Sequence, residues 1–397
     1  MNAPLEFQHK VILLGVKIDD RPMDYILSRI EAQLNTESQM KIYTPNPEIC
    51  LRAENDDFYR HVLNTADINA PDGFGLKLGA LILGQDLENR VAGSDLTPQI
   101  LEKLGSSGLK VFVVLREDSL STPNNITDLM KDKYPNVKCK VGIMKSSDFE
   151  NCDKLLNTIN DFDPQILFVC LGAPTQELWI NKYIKLLSNV KVAIGVGGSF
   201  DFLTGKIKRA PKIMRELGIE WLYRLYQEPK RLERIKHATA DFLLACHRWN
   251  TRIKNELRVN ALAVIRNREG KILIQRNKRF ANHWQFPQGG VEKWESVAEA
   301  AKREASEEIG APISAFGATT VLSEKNEYVP PRYSQLLIGY KGQSQTAVLI
   351  EFVGNEKDVD VANSEEAEEV KWVNKDELLT YLHRDRQKFA QVLLKYL

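Results

Sequence analysis

WQFPQGGVEKWESVAEAAKREASEEIGA, residues 284–311, carries the strongest signal in the chain. No breaker interrupts Ser296 to Ile309, and Gly310 stands where a helix ends in a left-handed residue. At about 100° per residue, Ala298, Ala301, Ala305 and Ile309 cluster on one face of that helix, and Glu304, Glu307 and Glu308 share the neighbouring one. Like charges at this spacing repel by roughly a few tenths of a kcal/mol per pair, so three carboxylates pointing the same way ask for a counter-charge. Arg303 is one candidate and a hard cation the better one: magnesium prefers oxygen ligands and bridges carboxylates to substrate phosphates, where it neutralises charge and orients a water. An ordinary acidic helix surface would not need the glycines and Glu295 at fixed distances ahead of it.

Upstream of this segment, ALAVIRNREGKILIQRN (261–277) reads as a hairpin of two β-rich runs joined at NREG. A polar hinge is expected at TRIKNELR (251–258), which puts a domain boundary near residue 252. The spacing Gly289, five residues, Glu295, seven residues, then Arg303 through Ala311 resembles a complete Nudix box. The resemblance implies an α/β/α sandwich with a mixed sheet over 252–397, Mg2+ or Mn2+ held by Glu304, Glu307 and Glu308, and Arg303 orienting the glutamates. WQFPQGG is similar to the RNA pyrophosphohydrolase and dinucleoside polyphosphate hydrolase branch, with Gln288 where many relatives have glycine. That branch adds a metal-binding glutamate before a Trp-Val strand. In NSEEAEEVKWV (363–373) the best match is Glu366, with Glu365, Glu368 and Glu369 as competitors. Arg276, Lys278 and Arg279 are expected either to contact phosphate or to form a solvated turn.

The front two thirds have a different texture. Apolar runs such as KVFVVL (110–115), QILFVCLG (165–172) and KVAIGVGG (191–198) alternate with helical patterns, which signals a parallel sheet covered on both faces. This is a Rossmann-like, doubly wound α/β domain over 1–205, whose ligands sit at the carboxyl ends of the strands. Polar motifs collect there: YTPNPE (43–48), PDGFG (71–75), GAPTQE (172–177) and GGSFDF (197–202). Asp161 and Asp163 precede their strand, at the wrong end of the sheet for a ligand, and read as structural. From Lys206 to Lys236, ten Lys or Arg against four Glu are interleaved with aromatic and aliphatic residues, a basic amphipathic appendage (206–251) that would either close the domain or dock on anionic lipid.

In order, TPNPE, ADINAPDG, NRVAGSDL, LGAPTQELWI, GVGGSFDFLTGKIKRAP and GIEWLYRLYQEPKRLERI resemble the WecG/TagA/CpsF glycosyltransferase family across residues 11–236. The resemblance implies inverting transfer of an N-acetylmannosamine-type sugar from a UDP donor to a polyprenyl-diphosphate-linked acceptor at the inner membrane surface, with no metal expected. It makes Asp72 the base, Thr44 and Asn46 pocket residues, Arg90 and Gln176 donor contacts, and Arg209, Arg215, Arg224 and Arg231 closing arginines. Two stretches depart from the family pattern. Arg116, Glu117 and Asp118 follow VFVVL where a glycine-rich turn is expected, and GIMKSSDF lacks the usual Gly-Tyr pair.

Composition bounds the rest. With 54 basic and 53 acidic side chains, the chain shows no general attraction to nucleic acid. Five cysteines in no paired or metal-like spacing suit reduced thiols in a cytosol. No run reaches the roughly 18 to 20 apolar residues of a spanning helix, and MNAPLEFQHK lacks a signal core, so a cytoplasmic, peripherally membrane-associated protein is expected. A homo-oligomer is left open. The rear unit's substrate is expected to be a nucleoside polyphosphate or related nucleotide; the alternative is a nucleotide or RNA 5′-end hydrolase with a membrane-associating front module.

Overall fold

A computed structural model describes residues 9–105, 108–211, 214, 223, 226, 237–278, 282–362, 364 and 366–397. The chain forms two compact units, one reaching to Thr251 together with Leu336–Gly339, the other made of Arg252–Gln335 and Tyr340–Leu397.

In the first unit a short hairpin, β1 (Lys10–Leu13) and β2 (Val16–Asp19), precedes a six-stranded sheet. Its members are β3 (Met40–Tyr43), β4 (Ile68–Asn69), β5 (Lys110–Arg116), β6 (Lys138–Met144), β7 (Ile166–Cys170) and β8 (Val192–Gly195). The order is β4-β3-β8-β7-β5-β6 and every pairing is parallel. All residues of β7 and β8 are buried, as a sheet covered on both faces requires. Ile42, Val113, Phe168 and Ile194 pack against Ile26, Leu96, Ile100 and Ile126 of flanking helices, while the alternate residues Phe112, Leu167, Val169 and Ala193 are equally buried on the other face. Loops at the strands' carboxyl ends therefore share one rim. Asp163 ends helix Asp153–Phe162 in the left-handed region (φ 62°) and lies 3.9 Å from Lys110, at the amino end of the sheet.

The sequence expectation of a polar hinge at TRIKNELR is corrected: helix Phe242–Asn255 takes up its first five residues, and a strand begins at Leu257. Phe242, Cys246, Trp249 and Ile253 are buried at helical spacing, and no Gly or Pro interrupts them, so the helix has an apolar stripe and nothing to stop it.

The second unit is built on β9 (Leu257–Arg266), β10 (Ile272–Asn277), β11 (Trp284–Gln285), β12 (Gln288–Gly290), β13 (Phe316–Tyr328), β14 (Gly342–Phe352) and β15 (Ala367–Val373). The sheet runs β11-β10-β9-β14-β13, with β12 on β9 and β15 on β10; β9 and β14 are parallel and the other pairs antiparallel. Along β9 the pleat sends Ala261, Ala263 and Ile265 toward helix Val297–Ile309, and Leu262 and Val264 toward Leu378, Leu382, Ala390 and Leu393 on the opposite side. The result is an α/β/α sandwich with a mixed sheet. Helix Val297–Ile309 starts in a capping box between Ser296 and Glu299. It stops at Gly310 (φ +70°), where a Cβ would stand 1.9 Å from the Asp360 carbonyl oxygen.

Candidate active sites

In the second unit Arg303 is the hub. Its guanidinium donates to Glu295 Oε1 and Oε2 (2.7 and 3.1 Å), Glu304 Oε1 (2.8 Å), Glu307 Oε2 (3.2 Å) and the Gly290 carbonyl (2.9 Å). The Glu295 side chain is 2% exposed, and the arginine beside it holds its carboxyl below the usual range. The other two carboxylates move the opposite way. Burial pushes Glu304 up against the pull of Arg303, with Glu307 and Glu366 adding repulsion. Burial, and then Glu366, push Glu308 up further. Glu304, Glu308 and Glu366 thus feel one another's charge.

Two more features hold this cluster. A Cβ at Gly289 would lie 1.9 Å from Glu304 Cδ, so only glycine lets that carboxylate lie over β12. Glu308 Oε2 accepts from the Gln275 amide and from the Gln288 N–H (3.1 Å). Sequence reasoning missed Gln275, which is fully buried on β10; its signal is an amide at a core register of an otherwise apolar run. The three carboxylates of the helix lie at different depths. Glu308 is buried and Glu304 16% exposed, but Glu307 is 60% exposed, because residues one apart on a helix diverge by about 100°.

The donor set is all oxygen and suits a hard divalent cation. Among the described residues no three acidic, histidine or cysteine side chains stand at metal-ligating spacing; Arg303 and Gln275 hydrogen-bond the carboxylates that would hold the ion. Arg276 is engaged by Glu368 (3.3 Å) and Glu369 (2.9 Å), which takes those two glutamates away from the box. Lys278 Nζ donates to the Ser364 carbonyl. Arg279 and Glu365 lie outside the described residues.

In the first unit a cleft of about 820 Å³ opens at the carboxyl ends of the strands. Four of the residues picked out by sequence line it together: Thr44, Asn46, Asp72 and Gln176. Thr44 Oγ1 donates to the Gly195 carbonyl (3.0 Å), tying β3 to β8. Asn46 Oδ1 accepts from the Ile49 N–H and so caps helix Pro47–Glu54. Gln176 Oε1 accepts from the Gly197 N–H (3.0 Å), while its amide nitrogen donates to Glu177 (2.8 Å). Glu177, which the sequence did not single out, is fully buried; it also accepts from the Tyr59 hydroxyl (3.0 Å), and burial pushes its carboxyl up.

Arg90 and Arg209 do not line this cleft. Arg209 instead reaches Ser94 Oγ (2.9 Å) and Asp95 (2.7 Å), and Ser94 is itself on the wall. Arg215, Arg224 and Arg231 lie outside the described residues, as does most of the basic stretch. In place of the expected glycine-rich turn, Arg116, Asp118 and Ser119 form part of the wall, with Arg116 and Asp118 ion-paired. All five cysteines are free thiols. No helix among the described residues is long and apolar enough to cross a membrane.

Residues 11–256 match the model of the Glycosyl transferase WecG/TagA/CpsF family. The chain belongs to that family. Behind its transferase part, the WecG/TagA/CpsF chain carries a NUDIX domain, matched over residues 256–394. Similar proteins include the N-acetylglucosaminyldiphosphoundecaprenol N-acetyl-beta-D-mannosaminyltransferase of Bacillus spizizenii, 34% identical over 206 residues, which are 50% of this chain and 77% of the relative. The protein of that name in Staphylococcus aureus strain MRSA252 is 31% identical over 231 residues, 57% and 88% of the two chains. Among solved structures, a C. elegans Ap4A hydrolase binary complex overlaps 35% of this chain and 97% of its own at 20% identity, with a TM-score of 0.28. So low a score adds nothing to the family assignment. This WecG/TagA/CpsF protein is therefore a glycosyltransferase joined to a Nudix hydrolase domain.

Proposed function

We propose that residues 1–205, with the appendage 206–251, transfer an N-acetylmannosamine-type sugar from a UDP donor to an undecaprenyl-diphosphate-linked acceptor in cell-surface glycan synthesis. Residues 252–397 would hydrolyse a nucleoside-diphosphate linkage. The observation that carries the first half is the convergence of Thr44, Asn46, Asp72 and Gln176, from three separate strand ends, on one cleft. Such assembly favours an enzyme over a membrane-associating module. The names of the relatives supply donor sugar and acceptor. In this reading Asp72 takes the proton of the acceptor hydroxyl as that oxygen bonds to the anomeric carbon and the C–O bond to UDP breaks, with inversion. Thr44, Asn46 and Gln176 hold the donor. Arg52 and Arg116 on the same wall face the leaving diphosphate, and Arg90, Arg209 and Arg224 stand as further contacts to be tested.

In the hydrolase, Glu304, Glu307, Glu308 and Glu366 would hold Mg2+ or Mn2+, which when bound neutralises phosphate charge and lowers the pKa of a water. The chain's own contribution is orientation. Arg303 fixes Glu295, Glu304 and Glu307; Gln275 and the Gln288 N–H fix Glu308; Gly289 leaves room for Glu304. Cleavage of the transferase's own UDP-sugar would waste donor, so a dinucleoside polyphosphate, a capped or triphosphorylated RNA end, or an unwanted nucleotide sugar is the preferred substrate. The protein would work in the cytoplasm at the inner face of the membrane.

A magnesium-supplemented screen of UDP-sugars, dinucleoside polyphosphates and triphosphorylated RNA tests both halves. Hydrolysis of one class abolished by Glu307→Gln, and sugar transfer abolished by Asp72→Asn, are the expected results. No cleavage of any class leaves the rear domain a binding module, and no transfer to a polyprenyl-diphosphate-linked acceptor removes the first half.

A further inference from the structure

The transferase cleft contains a carboxylate to which the reaction above gives no task. Asp201 follows the Gly197–Gly198 turn after β8; it is 9% exposed and lines the cleft. Its Oδ1 accepts both the N–H and the hydroxyl of Ser121, at 2.9 and 2.6 Å. Ser121 is 2% exposed, and its hydroxyl is also 2.8 Å from Thr204 Oγ1, so this side of the carboxylate is fixed. The other oxygen accepts no hydrogen bond from the described residues. It faces Gly198, where a Cβ would lie 3.4 Å away, and so borders the open turn of the cleft.

The second oxygen still touches solvent from this otherwise buried side chain, so a ligand that displaces its water must replace the lost hydrogen bonds. No described Lys, Arg or His is ion-paired with it. Arg52 on the wall suits an anionic ligand, whereas Arg116 is already paired with Asp118, and a phosphate oxygen brought to Asp201 would be repelled. An uncharged O–H donor of the ligand would satisfy that oxygen without such repulsion. We propose that Asp201 accepts hydrogen bonds from sugar hydroxyls of the nucleotide-sugar donor and so reads its ribose or its hexose rather than its diphosphate. This rests on the reading of the first unit as a UDP-sugar transferase.

The test is a calorimetric double-mutant cycle on the full chain in chelator, which leaves the rear unit without a metal to hold diphosphate. UDP, 2′-deoxy-UDP, 3′-deoxy-UDP, the UDP-sugar and its singly deoxygenated hexose analogues are titrated into wild type and Asp201→Asn. The amide keeps an oxygen for Ser121 but turns the second acceptor into a donor. Wild type should bind one deoxy analogue ~10- to 100-fold more weakly than its parent, and Asp201→Asn should lose that discrimination. Loss with the deoxy-UDPs assigns the ribose; loss only with the hexose analogues assigns the transferred sugar. Equal affinity of wild type for every analogue overturns the proposal, as does a variant that weakens all ligands alike, which would leave Asp201 a clamp for Ser121. Where Asp201→Asn fails to fold, Gly198→Ala sets a methyl against the free oxygen without touching Ser121 and should flatten the same ratio. If wild type binds no uridine nucleotide, it is the UDP reading that fails, and the comparison is run with whichever nucleoside diphosphate binds.

Discussion

Replacing Gly289 by alanine puts a methyl group into space already filled. The new Cβ would stand 1.9 Å from Glu304 Cδ and 2.1 and 2.2 Å from its oxygens. Carbon atoms rest at roughly 3.5 Å, so the carboxyl must retreat by about 1.6 Å. Retreat breaks or bends the 2.8 Å bond from Arg303. It also brings partly buried Glu304 toward water, which offsets some of the loss, so a net destabilisation of ~1–3 kcal/mol is expected. For a unit of this size that lowers Tm by roughly 2 to 10 °C. Activity should suffer far more, since misplacing a group by about 1 Å can cost ~100-fold. The assay pairs magnesium-dependent hydrolysis of the substrate found by the screen with thermal melting in chelator, and sugar transfer serves as an internal control that should not change. Adding Glu304→Asp, one methylene shorter by about 1.5 Å, should restore Tm but not hydrolysis. Hydrolysis within threefold of wild type would refute the reasoning, because Glu304 would then have no task that depends on its place.

Three further outcomes follow from the described contacts. Gln275→Leu removes a donor from buried Glu308 and should cost ~1–3 kcal/mol; combined with Glu308→Gln the penalty should shrink, and strictly additive melting shifts would show that the two side chains do not interact. Burial raises the folded pKa of Glu177 above its unfolded value of roughly 4.3, so its contribution to stability is present below that value and is lost as pH rises through the folded pKa. Glu177→Gln should therefore flatten the fall in the first unit's Tm as pH rises above roughly 4.3, and parallel curves for variant and wild type would contradict this. Asn46→Ala should lower stability by about 0.5–2 kcal/mol through loss of the cap on helix Pro47–Glu54, with a separate rise in the KM for donor; a stability loss with KM unchanged would confine Asn46 to capping.

What could be read in advance depended on whether the signal was local. Helix Val297–Ile309 announces itself through a capping box, an alanine face and a terminal glycine, all within one short stretch, and β5, β7 and β8 through unbroken apolar runs. Gln275 and Glu177 were illegible because a polar residue becomes informative only once its position is known to be buried, and burial is decided by strands and helices distant in sequence. The ion pairs of Arg276 were hidden for a related reason: which glutamates meet it depends on the register of β10 against β15. Arg116 shows the limit of pattern matching: its departure from the expected glycine turn is legible in the sequence, but its place on the cleft wall is not. The hinge expectation weighed polarity over the helical spacing of Trp249 and Ile253.

The strand order has a consequence for how this protein is made. β8, the last strand of its sheet to leave the ribosome, lies between β3 and β7 and, among the described residues, is the strand that joins the β4-β3 pair to the β7-β5-β6 trio. Asp72 and Thr44 follow strands of the pair, Arg116 ends one strand of the trio and Gln176 follows another, so the two sides of the cleft meet only after Val192–Gly195 has been threaded between them. Long-range parallel pairing of this kind is slow and leaves strand edges open while it waits. A nascent chain stopped before β8 should expose two unpaired edges and leave the cleft unassembled, since the wall residues from Val196 to Ile207 follow that strand.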